Sequence, residues 1–231
     1  HFLRMQEKVV KKLQHIVTVS SASQKDIAQF FQRNSDSTPV IPNGIDTHTF
    51  RPKPEISRTP YRIITTSSSD QPLKGLPVLI DAIAALRSEF PDIHCRIIGK
   101  LKPNGNVQQK ITKLKLEDCF SCISGISTEE LVDEYSQASL FVCPSHYEGF
   151  GLPLGEAMAC ELPVISTDGG ALPEVIGKTG KIVAAGDSKA LAEAIKERFV
   201  DCTNNEALGK LARKRILEQF SWQTVALSLT S

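Results

Sequence analysis

The sequence predicts an α/β protein: a parallel sheet covered by helices on both faces. Two observations point there. From Tyr61 onward, short apolar runs alternate with longer amphipathic segments, the order that strand-helix-strand units impose. The chain is also of globular size and make-up, 231 residues with 41% hydrophobic and 23% charged.

The elements follow in order. "YRIITT" reads as a strand and "GLPVLIDAIAALRSEF" as a helix with apolar residues at helical spacing. "HCRIIG" is the next strand, "NVQQKITKLKL" the next helix, and "CFSCIS" a third strand. "STEELVDEYSQA" opens on a Ser/Thr cap with Glu close behind, a helix start. Then come the strand "LFVCPS", the helix "LPLGEAMAC" and the strand "LPVIST". "LPEVIG" is a short helical turn and "GKIVAAG" an extended return. "SKALAEAIKERFV", "NEALGKLARKRILEQF" and "SWQTVALSL" close the chain as helices.

The first residues differ. "EKVVKKLQHIVTVSS" and "ASQKDIAQFFQ" predict a helix, a short strand and a second helix. Pro42, Asn43 and Gly44 mark a tight turn, and "FRPKPEISRTP" a loop or linker. The boundary falls near residues 39–60. Residues 1–39 are the tail of another domain or a packing segment, and 40–231 form the main domain.

The net charge is +1, from 27 basic and 26 acidic residues, which argues against a nucleic-acid footprint. No run approaches the ~18 apolar residues of a membrane span. The N-terminus lacks a signal-peptide core and an initiator methionine, so an excised piece of a longer protein is expected. Six cysteines, most in apolar runs, suit reduced, buried thiols and a cytoplasmic location. "CFSC" has CxxC spacing, but no second pair or nearby His completes a zinc set; an apolar strand with two thiols is the better reading, and no metal site is expected.

In a parallel sheet, ligands bind beyond the carboxyl ends of the strands. That puts the loops "SSSDQPLKG", "GKLKPNG", "SGIS" and "HYEGFG" along one edge. The stretch "HYEGFGLPLGEAM" holds Glu148 and Glu156 around a Gly-Phe-Gly turn. Proline suits a first helical turn, so a helix starting near Pro153 would present free N–H groups from Phe150 to Gly155, a phosphate site. Carboxylates accept from hydroxyls, and a nucleoside diphosphate sugar would satisfy phosphate donors and sugar acceptors together. Lys74 could neutralise diphosphate as a point charge, or be a solvated helix-start lysine. Glu156 could equally serve the helix dipole alone. A glycosidase pair fits less well, because nothing nearby encloses one acid.

These motifs resemble the C-terminal half of retaining glycosyltransferases of family 4 (glycosyltransferase group 1), which have the GT-B fold. The landmarks are "IPNGID", "PLKGL", "PSHYEGFGLPLGEAMACELPVIST", "GGALPEVIG", "TGKIV" and "FSW", spanning residue 40 to the end. "VTVSSASQKDIAQFF" resembles the end of the family's N-terminal domain. The resemblance implies a Rossmann-like domain that holds a UDP-, GDP- or ADP-sugar as donor, without a cofactor or metal. It places Lys74 on the diphosphate and Glu148 on hydroxyls of the transferred sugar, these two being the catalytic candidates. It places backbone N–H groups of Gly149, Phe150, Gly151 and Leu152 on sugar and diphosphate, and Glu156 on the ribose diol. Gly99, Ser124 and Ile126 flank the base, and Glu174 is a recurring acid with a structural role.

Three departures stand out. Ser67 and Ser68 occupy positions where the family often has Gly-Arg, so half of the usual cationic diphosphate clamp is missing unless Arg62, Lys100 or Lys102 substitutes. Glu161 follows "EAMAC" where glycine is common; a helix ending there wants a left-handed residue, which glycine supplies cheaply. The acceptor domain is missing beyond residues 1–39, so this chain would bind donor and be inactive alone. The intact protein is expected to move sugar to the hydroxyl of a glycan, lipid or small molecule with retention, peripheral membrane association being compatible with it. A non-catalytic nucleotide-sugar-binding module and a GT-B sugar-nucleotide epimerase are the alternatives.

Overall fold

The computed structural model describes residues 2–10, 12–67 and 71–228. The departure at Ser68 therefore lies outside the described residues. Six parallel strands form one sheet: β1 (Arg62–Thr66), β2 (His94–Ile98), β3 (Phe120–Ile123), β4 (Leu140–Cys143), β5 (Val164–Thr167) and β6 (Lys181–Val183), in the spatial order β3-β2-β1-β4-β5-β6.

Ten α-helices are described: α1 (Phe2–Val10), α2 (Ser21–Phe31), α3 (Leu76–Leu86), α4 (Asn106–Lys113), α5 (Thr128–Gln137), α6 (Leu152–Ala159), α7 (Leu172–Ile176), α8 (Ser188–Val200), α9 (Asn205–Gln219) and α10 (Trp222–Ser228). Strands buried on both faces need apolar side chains on both, and β4 and β5 are accordingly near-continuously buried. Ile63, Cys95, Ile97, Leu140, Val142 and Ile165 pack with α3, α4 and α8. On the other face Ile64 and Phe141 pack with α5, α6, α7 and α9.

The chain builds β1, β2 and β3 outward on one side, then returns to lay β4, β5 and β6 on the other. The order reverses between β1 and β4, so their following loops diverge to opposite faces and leave a crevice, the usual ligand position in such sheets.

The N-terminal segment departs from expectation in one respect. In place of a short strand there is a single bridge, Thr18 with Val40, flanked by Thr18 N–H to the Pro39 carbonyl (3.0 Å) and Ile41 N–H to the Thr18 carbonyl (2.7 Å). The proline-rich stretch is no free linker. It straps the amino-terminal pole of the sheet, where Thr59 N–H donates to the Gln137 carbonyl at 2.8 Å. The CxxC stretch also differs from a simple apolar strand: Cys119 is buried in a 3₁₀ turn before β3, while Cys122 is exposed within it.

Candidate functional site at the sheet's switch point

Before they diverge, the loops after β1 and β4 touch at one backbone contact. The first holds a 3₁₀ turn, Pro72–Lys74, ahead of α3, and His146 N–H donates to the Leu73 carbonyl at 2.8 Å. This contact brings together two residues far apart in sequence: Lys74 Nζ lies 2.8 Å from Glu148 Oε1. The buried Ser145 hydroxyl donates to the same oxygen at 2.7 Å. Both donors meet Oε1, which leaves Oε2 as the acceptor that neither engages. The side chains of Lys74 and Glu148 retain 26% and 17% exposure, so the pair is partly desolvated yet reachable by a ligand.

The loop after β5 holds Glu148 in place. Ala171 N–H donates to the Glu148 carbonyl at 2.9 Å, and Thr167 Oγ1 donates to the Ser145 carbonyl. A Cβ on Gly170 would stand 2.3 Å from the Glu148 carbonyl oxygen, so only glycine permits this approach; its φ of +63° makes the same demand.

Helices α3 and α6 both start on left-handed glycines, Gly75 and Gly151, with Pro in the first turn and no side-chain cap. Helices α4, α7 and α9 also start without a side-chain cap, whereas α2, α5 and α8 are capped by Ser20, Ser127 and Asp187. Because Pro77 and Pro153 carry no N–H and the next amides bond back to Gly75 and Gly151, what each helix flanking the crevice keeps for an anion is its first amide, Leu76 or Leu152, and its positive dipole end. Phe150 contributes backbone only: its ring is buried, edge-on to Phe220 at 5.7 Å. Gly149 is half-buried, and Leu152 is exposed at the helix start.

Glu156 lies on α6 in a different setting. Tyr135 OH donates to its Oε2 at 3.2 Å. Burial raises the Glu156 pKa, and the tyrosine hydrogen bond partly offsets that. Burial, then the nearby Glu156 charge, pushes the Tyr135 phenol well up, so it stays a donor.

At the positions expected to flank a base, Gly99 N–H donates to the Ile123 carbonyl (2.8 Å), and Cys122 Sγ donates to the Gly99 carbonyl (2.9 Å). A Cβ on Gly99 would meet the Ser67 carbonyl oxygen at 1.7 Å. Ser124 is exposed and Ile126 half-buried. A cleft of 470 Å³ opens beside Gly99, Lys100, Leu101 and Ser124. A larger cavity of 790 Å³, bordered by Arg58, Tyr61 and Phe199, sits at the opposite pole, away from these residues.

Arg62 is no substitute cation. It begins β1, at the far end from the crevice, with NH2 on Glu134 and NH1 on Gln137 Oε1 (3.0 Å). Lys100 and Lys102 are exposed in the loop after β2, on the correct edge. Sequence reasoning missed Ser145 and Tyr135, the hydroxyl partners of the two glutamates. Ser145 lies inside the quoted motif; nothing local marks Tyr135.

A doubly wound parallel sheet with its polar cradle at the switch point defines a Rossmann-like domain. The sequence matches the family described as Glycosyl transferases group 1 over residues 47–215, and the chain belongs to that family. It is 39% identical over 229 residues to an MMP alpha-(1->4)-mannosyltransferase of Mycolicibacterium hassiacum, covering 97% of this chain and 55% of the relative. The chain thus spans about half the length of that relative. Among solved structures, a sucrose-phosphate synthase from Thermosynechococcus elongatus superposes with a TM-score of 0.85 at 25% identity, over 99% of this chain and 59% of that one. Anabaena HepE, solved with UDP and glucose, gives 0.86 at 23% identity, over 99% and 66%, and shows the shared fold.

Proposed function

We propose that the whole protein transfers a sugar from a nucleoside diphosphate sugar to an acceptor hydroxyl with retention, and that this chain is its donor-binding part. Residues 40–231 form the donor domain, and 1–39 end the acceptor-side domain. The observation behind the reading is the Lys74–Glu148 pair, set across the switch point beside the uncapped start of α6.

In this reading the diphosphate seats on the amides of Gly149 to Leu152, and Lys74 stabilises the negative charge that develops as it departs. Glu148 accepts from hydroxyls of the transferred sugar through Oε2, with Ser145 and Lys74 holding Oε1. Glu156 accepts from the ribose diol, oriented by Tyr135. Gly99, Ser124 and Ile126 border the base. Lys74 supplies the positive charge, so transfer proceeds without a cofactor and persists in EDTA. The relative's name as a mannosyltransferase and the neighbour solved with UDP and glucose support a nucleotide-sugar donor. No helix among the described residues is long and apolar enough to cross a membrane; a cytoplasmic enzyme acting on soluble or membrane-surface acceptors is proposed.

The test is a thermal-shift panel of UDP, GDP, ADP and their sugars on this chain. One nucleotide class should raise the midpoint by mass action. A flat response across millimolar concentrations of all of them would sink the donor-site assignment. Labelled-sugar transfer against sugar-nucleotide isomerisation, on full-length protein, separates a transferase from an epimerase.

A further inference from the structure

We propose that Glu174 is a positioning residue of the donor site, acting through the first turn of α2 on the peptide that joins Gly149 to Phe150. The proposal rests on the donor-site reading above. Glu174 lies in the first turn of α7, yet both its carboxylate oxygens reach the N-terminal segment. Ser21 N–H donates to Oε2 at 2.9 Å and Ala22 N–H to Oε1 at 2.7 Å. These are the first two amides of α2, where a carboxylate also meets the positive end of the helix dipole.

The same turn reaches the loop after β4. Ser20 Oγ accepts from Ser23 N–H at 3.0 Å, as the N-cap of α2. The Ser20 hydroxyl lies 2.8 Å from the Gly149 carbonyl and 3.0 Å from Ser23 Oγ, and the Ser23 hydroxyl approaches the same carbonyl at 3.3 Å, so either serine can supply the proton that ties it. The contacts close a ring. Glu148 is bonded to Ala171, α7 follows directly, Glu174 grips α2, and α2 returns to Gly149.

The ring has a chemical consequence. In a trans peptide the carbonyl and the following N–H point in opposite directions. Tying the Gly149 carbonyl to α2 therefore turns the Phe150 N–H the other way, and that N–H has no acceptor among the described residues. Ser20 and Ser23 thus aim one of the amides assigned to the donor, and Glu174 holds the two serines where they can do so.

The experiment compares E174Q and S20A/S23A with wild type in the full-length protein. Donor KM and kcat are measured well below the melting midpoint, alongside amide exchange over residues 145–152. Each variant should raise donor KM on the order of tenfold, with a smaller change in kcat, as expected for a misplaced binding group. Combining them should add little, because both break one linkage. Exchange over residues 145–152 should quicken in both variants, whether or not donor is present.

A donor KM within twofold of wild type in folded E174Q or in folded S20A/S23A would overturn the proposal. So would unchanged exchange over residues 145–152 in either variant. If wild type binds no donor, the donor-site reading fails, and the exchange data still decide the linkage. Should E174Q fold poorly, E174D, which keeps the charge but shortens the reach to the Ser21 and Ala22 amides, is measured in its place, with the same expected and contradicting results.

Discussion

The two ends of α6 are built on opposite principles. At its start, Gly151 offers no side-chain cap, and the first amide, Leu152, is left to whatever enters the crevice. At its end the carbonyls are saturated. Arg58 donates to the carbonyls of Cys160 (3.2 Å) and Glu161 (3.0 Å), and Arg213 to that of Ala159. Arg58 also reaches the end of α5, through the carbonyls of Tyr135 (3.1 Å) and Ala138 (2.7 Å). Although the residue as a whole is exposed, its guanidinium is enclosed enough that burial lowers its pKa. Arg58 and Arg213 have their donors spent on backbone carbonyls. Lys74 instead meets one carboxylate oxygen and can exchange it for a ligand. The unfilled end is the one that faces the switch point.

Substitutions at the two ends should therefore separate turnover from stability. Lys74→Ala in the full-length protein should cost on the order of 10²–10³ in kcat, with the melting midpoint little changed. Glu148→Gln should lose about 10². The double variant should fall short of the product of the two effects, because the residues touch. Additive losses in a kinetic cycle would show that the pair does not act as a unit.

Glu156→Gln splits the two properties within one residue. Its folded pKa is raised by burial, so its protonated form is the one the fold favours. That contribution is present below the unfolded carboxylate pKa and is lost as pH rises through the folded one. At pH 7 the glutamine variant should be more stable than wild type, by about 2–4 °C in midpoint per kcal/mol recovered. Its donor affinity should fall by about tenfold, the effect of one lost hydrogen-bonding charge. A midpoint advantage that fails to shrink on acidification to pH 4 would contradict the burial argument.

At the saturated end, Arg58→Ala should destabilise by about 1–2 kcal/mol, since water can reach some of the released carbonyls. Denaturant titration reads this, and nucleotide affinity should stay within twofold. The smallest effect is expected at Glu161, whose φ of +58° places a non-glycine residue in the left-handed region. Glu161→Gly should stabilise by about 0.5–1 kcal/mol, the strain relieved less the backbone entropy added.

This last site was legible in advance. A helix ending at "EAMAC" calls for a left-handed residue, and glutamate stands there. The alternation of apolar runs likewise revealed the strands and the helices between them, because both periodicities are local. Lys74 and Glu148 could be named from their motifs, but not their mutual contact across 74 residues. The grip of Glu174 on α2 spans 152 residues, and Arg58 reaches helix ends 77 to 103 residues away. Such contacts depend on strand order, which the sequence pattern leaves undetermined. The expected short strand near Thr18 failed for a related reason: its β-branched residues found one bridging partner, not a ladder.

The most direct test is a crystal structure of this chain with the nucleoside diphosphate that raises its melting midpoint. The diphosphate should lie at the start of α6, within hydrogen-bonding distance of amides between Gly149 and Leu152 and of Lys74 Nζ. A nucleotide bound instead in the 790 Å³ cavity beside Arg58 and Tyr61, with Lys74 still on Glu148 alone, would contradict the assignment of the switch-point crevice as the donor site.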